Sequence, residues 1–166
     1  KLPVVTSIEV QLPAVPDARA ISGRLFVLTS SRAGREPRYG PNWFGPEPFY
    51  AIDVAGWKPG SVVTLDDGAD GFPDKLSQLP AGDHHFQALL DFDFYNSHPN
   101  DGVGNLYSAT VHVQWHPPVG KVKPQDQSPL RLVLDKVIPG RSFPGTKSVR
   151  ELAIPSARLS LFHGRE

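Results

Sequence analysis

Proline and glycine are spread along the whole chain and divide it into short apolar runs. The 166 residues include 18 prolines and 15 glycines. Nearly every apolar run is therefore bounded by a residue that ends a helix or interrupts a strand ladder. Several runs alternate in polarity, as in the run from Leu130, where Leu132 and Leu134 share its face. The strand-like runs are residues 5–12, 20–30, 48–54, 61–65, 84–94, 106–115, 130–138 and 147–154.

This spacing predicts an all-β fold, an immunoglobulin-like or fibronectin-like antiparallel β-sandwich of about seven to nine strands. We expect the sandwich to span residues 1–155. Residues 156–166 should form a C-terminal linker toward a further domain, and Ser156 can cap a short helix there. A chain of this length buries roughly 70% of its unfolded surface, so it can fold without disulfides, which the absence of cysteine excludes.

The composition limits the partners and the compartment. Seventeen basic and seventeen acidic residues cancel, which argues against nucleic acid or an anionic membrane as a partner. No segment approaches the ~20 apolar residues of a membrane-spanning helix. The chain has no methionine and begins KLPVV, without a basic-then-apolar signal pattern, so we expect a processed product or an excised fragment from which any signal has been removed. We expect its location to be secreted or periplasmic.

No catalytic motif is recognisable, so we expect no enzyme activity from this chain and no catalytic residue. It contains no G-x-S-x-G, no G-x-x-x-x-G-K-[ST] and no H-E-x-x-H. His112 and His116 lie four apart in a strand-like run, which separates them by roughly 13 Å, too far to share one metal ion.

Calcium is a possible cofactor in acidic loops, because Asp and Asn oxygens are the ligands that this ion prefers. Otherwise we expect no cofactor. The alternative is that these residues form ordinary solvated turns, where their side chains bond the nearby backbone. The loop residues in question are Asp66, Asp67, Asp70, Asp91, Asp93, Asn96 and Asp101.

Aromatic residues concentrate in RYGPNWFGPEPFYAIDV, residues 38–54, among prolines that exclude a regular helix or strand for much of it. Sugar rings stack on flat aromatic side chains while nearby polar groups bond their hydroxyls. We therefore predict a carbohydrate-binding module with a stacking surface of Trp43, Phe44, Tyr50 and Trp57. The predicted hydroxyl partners are Arg38, Asn42, Glu47 and Asp53, and a second predicted patch comprises Tyr95, Asn96 and Tyr107. Two alternatives stay open, because the same rings could close the edge of the core or contact a neighbouring domain.

Several segments resemble the N-terminal β-sandwich domain that precedes the catalytic α/β-hydrolase domain in bacterial enterochelin-esterase-like putative esterases. They are SGRLFVLTS, EPRYGPNWFGPEPFYAIDVAGWKPG, GFPDKLSQLPAGDHHFQALLDFDF, GVGNLYS and LFHGRE, which cover most of the chain from Ile21 onward. The resemblance implies an accessory domain and a C-terminal hydrolase domain as its partner. It also implies a second function, in which the domain docks on the hydrolase within one polypeptide and shapes the active site.

LPAGDHHF is similar to the L-x-P-G-x-Y corner of such sandwiches, where a tyrosine hydroxyl bonds the preceding loop. His84 stands where the tyrosine is expected. Either an imidazole nitrogen replaces the hydroxyl or the corner is absent.

Overall fold

The computed structural model describes residues 7–15, 18–41, 44–93, 98–115, 117, 128–140, 144–152 and 154–163. Within these ranges the chain forms ten strands and one short α-helix. The strands are β1 (Ile8–Gln11), β2 (Ile21–Ser30), β3 (Phe49–Trp57), β4 (Val62–Leu65), β5 (Asp70–Phe72), β6 (Gly82–Asp91), β7 (Leu106–Tyr107), β8 (Val111–Trp115), β9 (Leu130–Val133) and β10 (Lys136–Val137). The helix is α1 (Ala157–His163), and single 3₁₀ turns lie at Pro37–Tyr39, Leu76–Gln78 and Pro99–Asp101.

The strands form two sheets that pack together, which confirms the all-β sandwich. The small sheet has the order β4-β1-β9, and the large sheet has the order β10-β7-β6-β2-β3-β5, with β8 also pairing with β6. The described residues form ten strands where seven to nine were expected, because two of them contain only two residues. One pair departs from the predicted antiparallel arrangement, since β1 and β9 run parallel.

The core lies between the two sheets and is built from the inward face of each strand. β1 contributes Ile8 and Val10, both fully buried, because every second residue of a strand points the same way. The large sheet contributes Phe86 and Trp115, whose ring centroids are 5.4 Å apart. Burying a large apolar side chain stabilises a fold by about 1.5–3 kcal/mol, so these rings are major contributors.

Ser108 divides the predicted strand 106–115 in two. Its hydroxyl accepts a hydrogen bond from the backbone N–H of Ala88 at 2.9 Å and donates to the Ala109 carbonyl at 2.7 Å. A side chain thus replaces a backbone acceptor opposite β6, and the regular ladder stops between β7 and β8. Both halves still pair with β6.

Residues 147–152 and 154 form no strand, contrary to the sequence prediction. The Thr146 hydroxyl accepts hydrogen bonds from the backbone N–H groups of Ser148 and Val149, which closes a turn instead. The predicted C-terminal helix is present as α1, and the Ser156 hydroxyl accepts from the Leu159 N–H at its first turn. No helix in the described ranges has the length and apolar character needed to cross a membrane.

An imidazole does replace the tyrosine hydroxyl at the 80–84 corner. His84 Nε2 donates to the carbonyl oxygen of Pro80 at 2.8 Å, four residues upstream. Trp115 Nε1 donates to the adjacent Leu79 carbonyl at 3.1 Å. Two side chains therefore satisfy the carbonyls of this corner and attach it to the core.

Candidate outer-face binding site

Side chains of the large sheet point alternately toward the small sheet and away from it, and we call the second side the outer face. A separate apolar cluster lies there, centred on the buried residues Leu28, Leu89 and Ile138. Three partly buried rings pack against it: Phe26, Phe49 and Tyr107. The large sheet is thus apolar on both sides, and the chain itself already covers Leu28, Leu89 and Ile138.

Arg38 and Tyr107, which the sequence analysis placed in two separate patches, are in contact. The Arg38 guanidinium carbon lies 4.3 Å from the ring centroid of Tyr39 and 4.2 Å from that of Tyr107. Three of its nitrogens donate, Nε to Glu36 Oε2 at 2.5 Å, Nη1 to Asn100 Oδ1 at 3.0 Å and Nη2 to the Tyr39 hydroxyl at 2.6 Å. The Arg38 side chain is only 10% exposed. It therefore holds the 3₁₀ turn against β7, and few of its donors remain for a ligand.

The buried amide of Gln87 lies beneath this arginine and fixes it from the sheet. Gln87 Oε1 accepts from the backbone N–H of Arg38 at 3.0 Å, while Nε2 donates to Glu36 Oε2 and to the Ser108 carbonyl, both at 2.9 Å. The hydrogen bond from Arg38 lowers the pKa of Glu36, although burial acts in the opposite direction. The carboxylate thus stays ionised and bridges the turn and the sheet.

Glu47 attaches the middle of the aromatic segment to the end of β2. Its Oε1 accepts from the Ser30 hydroxyl at 2.9 Å and from the Ser31 backbone N–H at 3.2 Å. The Thr29 hydroxyl donates to the Pro48 carbonyl at 2.6 Å. Glu47, predicted as a hydroxyl partner for a sugar, already serves the chain's own hydroxyl and backbone.

Tyr50 and Trp57 correct the predicted stacking surface, because both rings belong to the core. They are 1% and 5% exposed. Tyr50 sits opposite Val27 in the β2–β3 pairing, and both face the small sheet. Burial, with a smaller effect of nearby Asp67, raises the pKa of Tyr50 to about 12. Neither ring can meet a ligand without unfolding part of the sandwich.

Asp53 belongs to an ion-paired group on the outer face. Arg24 Nη1 donates to Asp53 Oδ1 at 2.8 Å, and Nη2 donates to Asp70 Oδ2 at 2.6 Å. These two hydrogen bonds, that to Asp70 first, raise the pKa of Arg24. The Arg24 guanidinium carbon also lies 5.9 Å from the centroid of the Phe26 ring. Both carboxylates are largely in solvent, with side chains 77% and 75% exposed.

Phe49 and Phe72 extend this group along the same face. Their ring centroids are 5.6 Å apart with an interplanar angle of 26°, and Phe72 is 43% exposed. Phe44, which was predicted as part of the stacking surface, is fully exposed. We call the following residues the aromatic–carboxylate patch: Arg24, Phe26, Phe49, Asp53, Asp70 and Phe72.

Strand register places the patch residues in three rows across β2, β3 and β5. In the first row, Arg24 of β2 is opposite Asp53 of β3. In the second row, Phe26 of β2 is opposite Ala51 of β3, which is in turn opposite Asp70 of β5. The third row places Phe49 beside Phe72. At about 3.3 Å per residue and 4.8 Å between strands, the patch measures roughly 13 by 10 Å. It can therefore contact a ligand of a few sugar rings with carboxylates at one end and aromatic rings at the other.

Four predicted contact residues lie outside the described residues: Asn42, Trp43, Tyr95 and Asn96. Among the others, the structure brings Arg38 and Tyr107 together and places Asp53 in the patch. The sequence prediction of a ligand site missed Arg24, Phe26, Phe49, Asp70 and Phe72. A signal existed for two of them, because in SGRLFVLTS the residues Arg24, Phe26 and Leu28 alternate with the core residues Leu25 and Val27.

The acidic loops use their carboxylates for local hydrogen bonds. Asp66 Oδ1 accepts from the Gly68 N–H at 2.8 Å, and Asp67 accepts from the N–H and hydroxyl of Ser77 at 2.8 and 2.6 Å. Asp91 Oδ1 accepts from Asn105 Nδ2 at 2.8 Å. Within the described part of the chain, no group of three or more His, Asp or Glu side chains is placed to hold a metal ion.

Comparisons of this chain with family models, curated proteins and solved structures find no match. The resemblance to the N-terminal domain of enterochelin-esterase-like proteins therefore stays a prediction.

Proposed function

We propose that this chain is a non-catalytic accessory domain whose outer face binds a polysaccharide or oligosaccharide. Its host would be a larger secreted or periplasmic enzyme that degrades polysaccharides or esters. The observation that carries the proposal is the aromatic–carboxylate patch, in which the half-exposed Phe72 ring and two solvent-exposed carboxylates share one sheet surface. A glycan needs both kinds of group, because its C–H faces are apolar and its hydroxyls are donors.

The patch residues stand on paired strands, so their backbone is already ordered before a ligand binds. β2, β3 and β5 are hydrogen-bonded neighbours in the large sheet, and Arg24 fixes the orientation of both carboxylates. Groups that are already ordered lose little conformational freedom when a ligand arrives. A surface of this kind can bind a repeating polymer along its length without rearrangement.

Affinity electrophoresis of the chain in gels that contain soluble polysaccharides tests this proposal. We expect at least one glycan to retard the wild-type chain and Phe72→Ala to weaken its binding by about 1–3 kcal/mol, the value for ring stacking on nucleic-acid bases. Val62→Ala is the matched control, because Val62 is a 48% exposed apolar residue on the small sheet. Equal retardation of both variants would remove the patch as the site, and no retardation of the wild type by any glycan would reject the proposal.

A second candidate function is docking on a hydrolase domain of the same polypeptide. The observation that favours it is the C-terminal part of the chain, where apolar side chains are more than half exposed. They are Val149, Leu152, Ile154, Leu159 and Leu161. Exposed apolar groups in such number are typical of a surface that contacts another protein.

The two functions predict different behaviour of this chain. A docking domain would bind no glycan, and its variants would alter only the activity of the full-length enzyme. A glycan-binding domain would act alone. Neither function includes catalysis here, so hydrolysis of a p-nitrophenyl ester by the pure chain, abolished by a single Ser or His substitution, would contradict both.

A further inference from the structure

We infer that the aromatic–carboxylate patch selects uncharged glycans and rejects anionic ones such as uronate polymers. This inference rests on the proposed glycan binding and specifies the class of ligand. Its basis is the charge distribution around Arg24, the only cation of the patch. Both terminal nitrogens of Arg24 are already paired, Nη1 with Asp53 and Nη2 with Asp70. The two carboxylates outweigh the single positive charge of the guanidinium, so the patch presents more negative charge than positive.

The free acceptors of the patch are the second oxygens of the two carboxylates. Asp53 uses Oδ1 and Asp70 uses Oδ2 on Arg24, while Asp53 Oδ2 and Asp70 Oδ1 have no hydrogen-bond partner among the described residues. Carboxylate oxygens accept hydrogen bonds and cannot donate them. They complement sugar hydroxyls, which donate, and they repel ligand carboxylates or sulfates.

The surroundings of β5 strengthen this repulsion. The segment 66–75, which contains β5, carries four aspartates against the single lysine Lys75. The Lys75 ammonium donates to the Ala69 carbonyl at 3.0 Å. Next to Arg24 on the other side lies Asp91 of β6, a further acid. An anionic polymer approaching β5 and its flanking loop would meet a negative field from several directions, and this field extends over roughly 10 Å at about 0.1 M salt.

The test uses two polymers with the same backbone, neutral hydroxyethyl cellulose and anionic carboxymethyl cellulose. Neutral galactomannan and anionic polygalacturonate, whose backbones differ, extend the range of glycans tested. We expect retardation of the wild-type chain by a neutral polymer and little or none by its anionic counterpart. Added salt should narrow the difference, because it screens the repulsion.

Substitution of the two patch carboxylates tests whether they cause the selectivity. Asp53→Asn and Asp70→Asn should each lower the affinity for the neutral polymer about tenfold, since each removes a charged acceptor, and should relieve the exclusion of the anionic polymer. Asp135→Asn is the control, because Asp135 is exposed, lies between β9 and β10, and changes the net charge equally. Thermal melts verify that each variant is folded.

Each outcome has a distinct meaning. Stronger retardation by an anionic polymer than by its neutral counterpart would overturn the selectivity and leave glycan binding intact. Equal behaviour of Asp53→Asn, Asp70→Asn and Asp135→Asn would also overturn it, because the carboxylates would then play no part. Failure of all four polymers and of other neutral glycans to retard the wild type would reject the proposed function together with this inference.

Discussion

Neighbouring aromatic residues on β3 have opposite roles, and the pleat of the strand decides which. Phe49 lies on the outer face and stacks on Phe72, whereas Tyr50 lies in the core and is 1% exposed. The prediction that Tyr50 contacts a ligand was wrong. Both faces of the large sheet carry apolar side chains, so the polarity pattern of β3 does not show which face packs on the small sheet. Tyr50 is paired with the core residue Val27 on β2, so its side chain points to the same side of the sheet, into the core.

The burial of Tyr50 has a consequence at alkaline pH. Its pKa in the folded chain is about 12, above the ordinary value of 10, so the folded state resists ionisation. The corresponding stability is present below pH 10 and is lost as pH rises toward 12. Denaturant unfolding from about pH 9 to about pH 11 should show a falling free energy of unfolding in the wild type. Tyr50→Phe should reduce this fall, and an identical pH dependence in both proteins would contradict the assignment.

At the scale of elements, the 3₁₀ turn Pro37–Tyr39 covers one end of the outer face. Gln87 attaches it to β6, and Arg38 attaches it to β7 through Tyr107. The aromatic–carboxylate patch lies at the opposite end of the same face, on β2, β3 and β5. The aromatic segment that dominated the sequence prediction thus serves partly as cover for the sheet.

Gln87→Leu tests this attachment. Leucine has a similar size but leaves the Arg38 N–H and the Ser108 carbonyl without their partner, so we expect the free energy of unfolding to fall by about 2–3 kcal/mol. Gln114→Leu is the control, since Gln114 is an exposed glutamine of β8. Its change should stay within about 0.5 kcal/mol. Equal effects in chemical denaturation would show that the buried amide has no special role.

Local sequence patterns predicted most of the strands. The site was harder to predict, because its residues are far apart in the sequence. Alternation located β2, β3, β6 and β9, because each strand is long enough to show its own polarity period. β5 was missed, since Asp70–Phe72 has three residues and reads as part of a turn. Arg24 meets Asp70 across 46 positions and Arg38 meets Asn100 across 62, and no local signal reports such pairs.

At the scale of the whole molecule, one sandwich presents two unlike surfaces. The large sheet turns one face to the small sheet and leaves the aromatic–carboxylate patch on the other, while the C-terminal part of the chain exposes apolar side chains. The first surface has the mixed chemistry that suits a glycan. The second favours contact with protein, so a domain that binds glycan through one surface and its host enzyme through the other would use both.

The most direct test of glycan binding by the outer face is an NMR titration of the isotopically labelled chain with neutral hexasaccharides of glucose, mannose and xylose. We predict that backbone amide shifts concentrate in β2, β3 and β5, around Arg24, Asp53 and Phe72. The location is the critical result, because a ligand perturbs the amides that it approaches. Shifts confined to the small sheet β4-β1-β9, or no shift with any of these sugars at high concentration, would contradict the account.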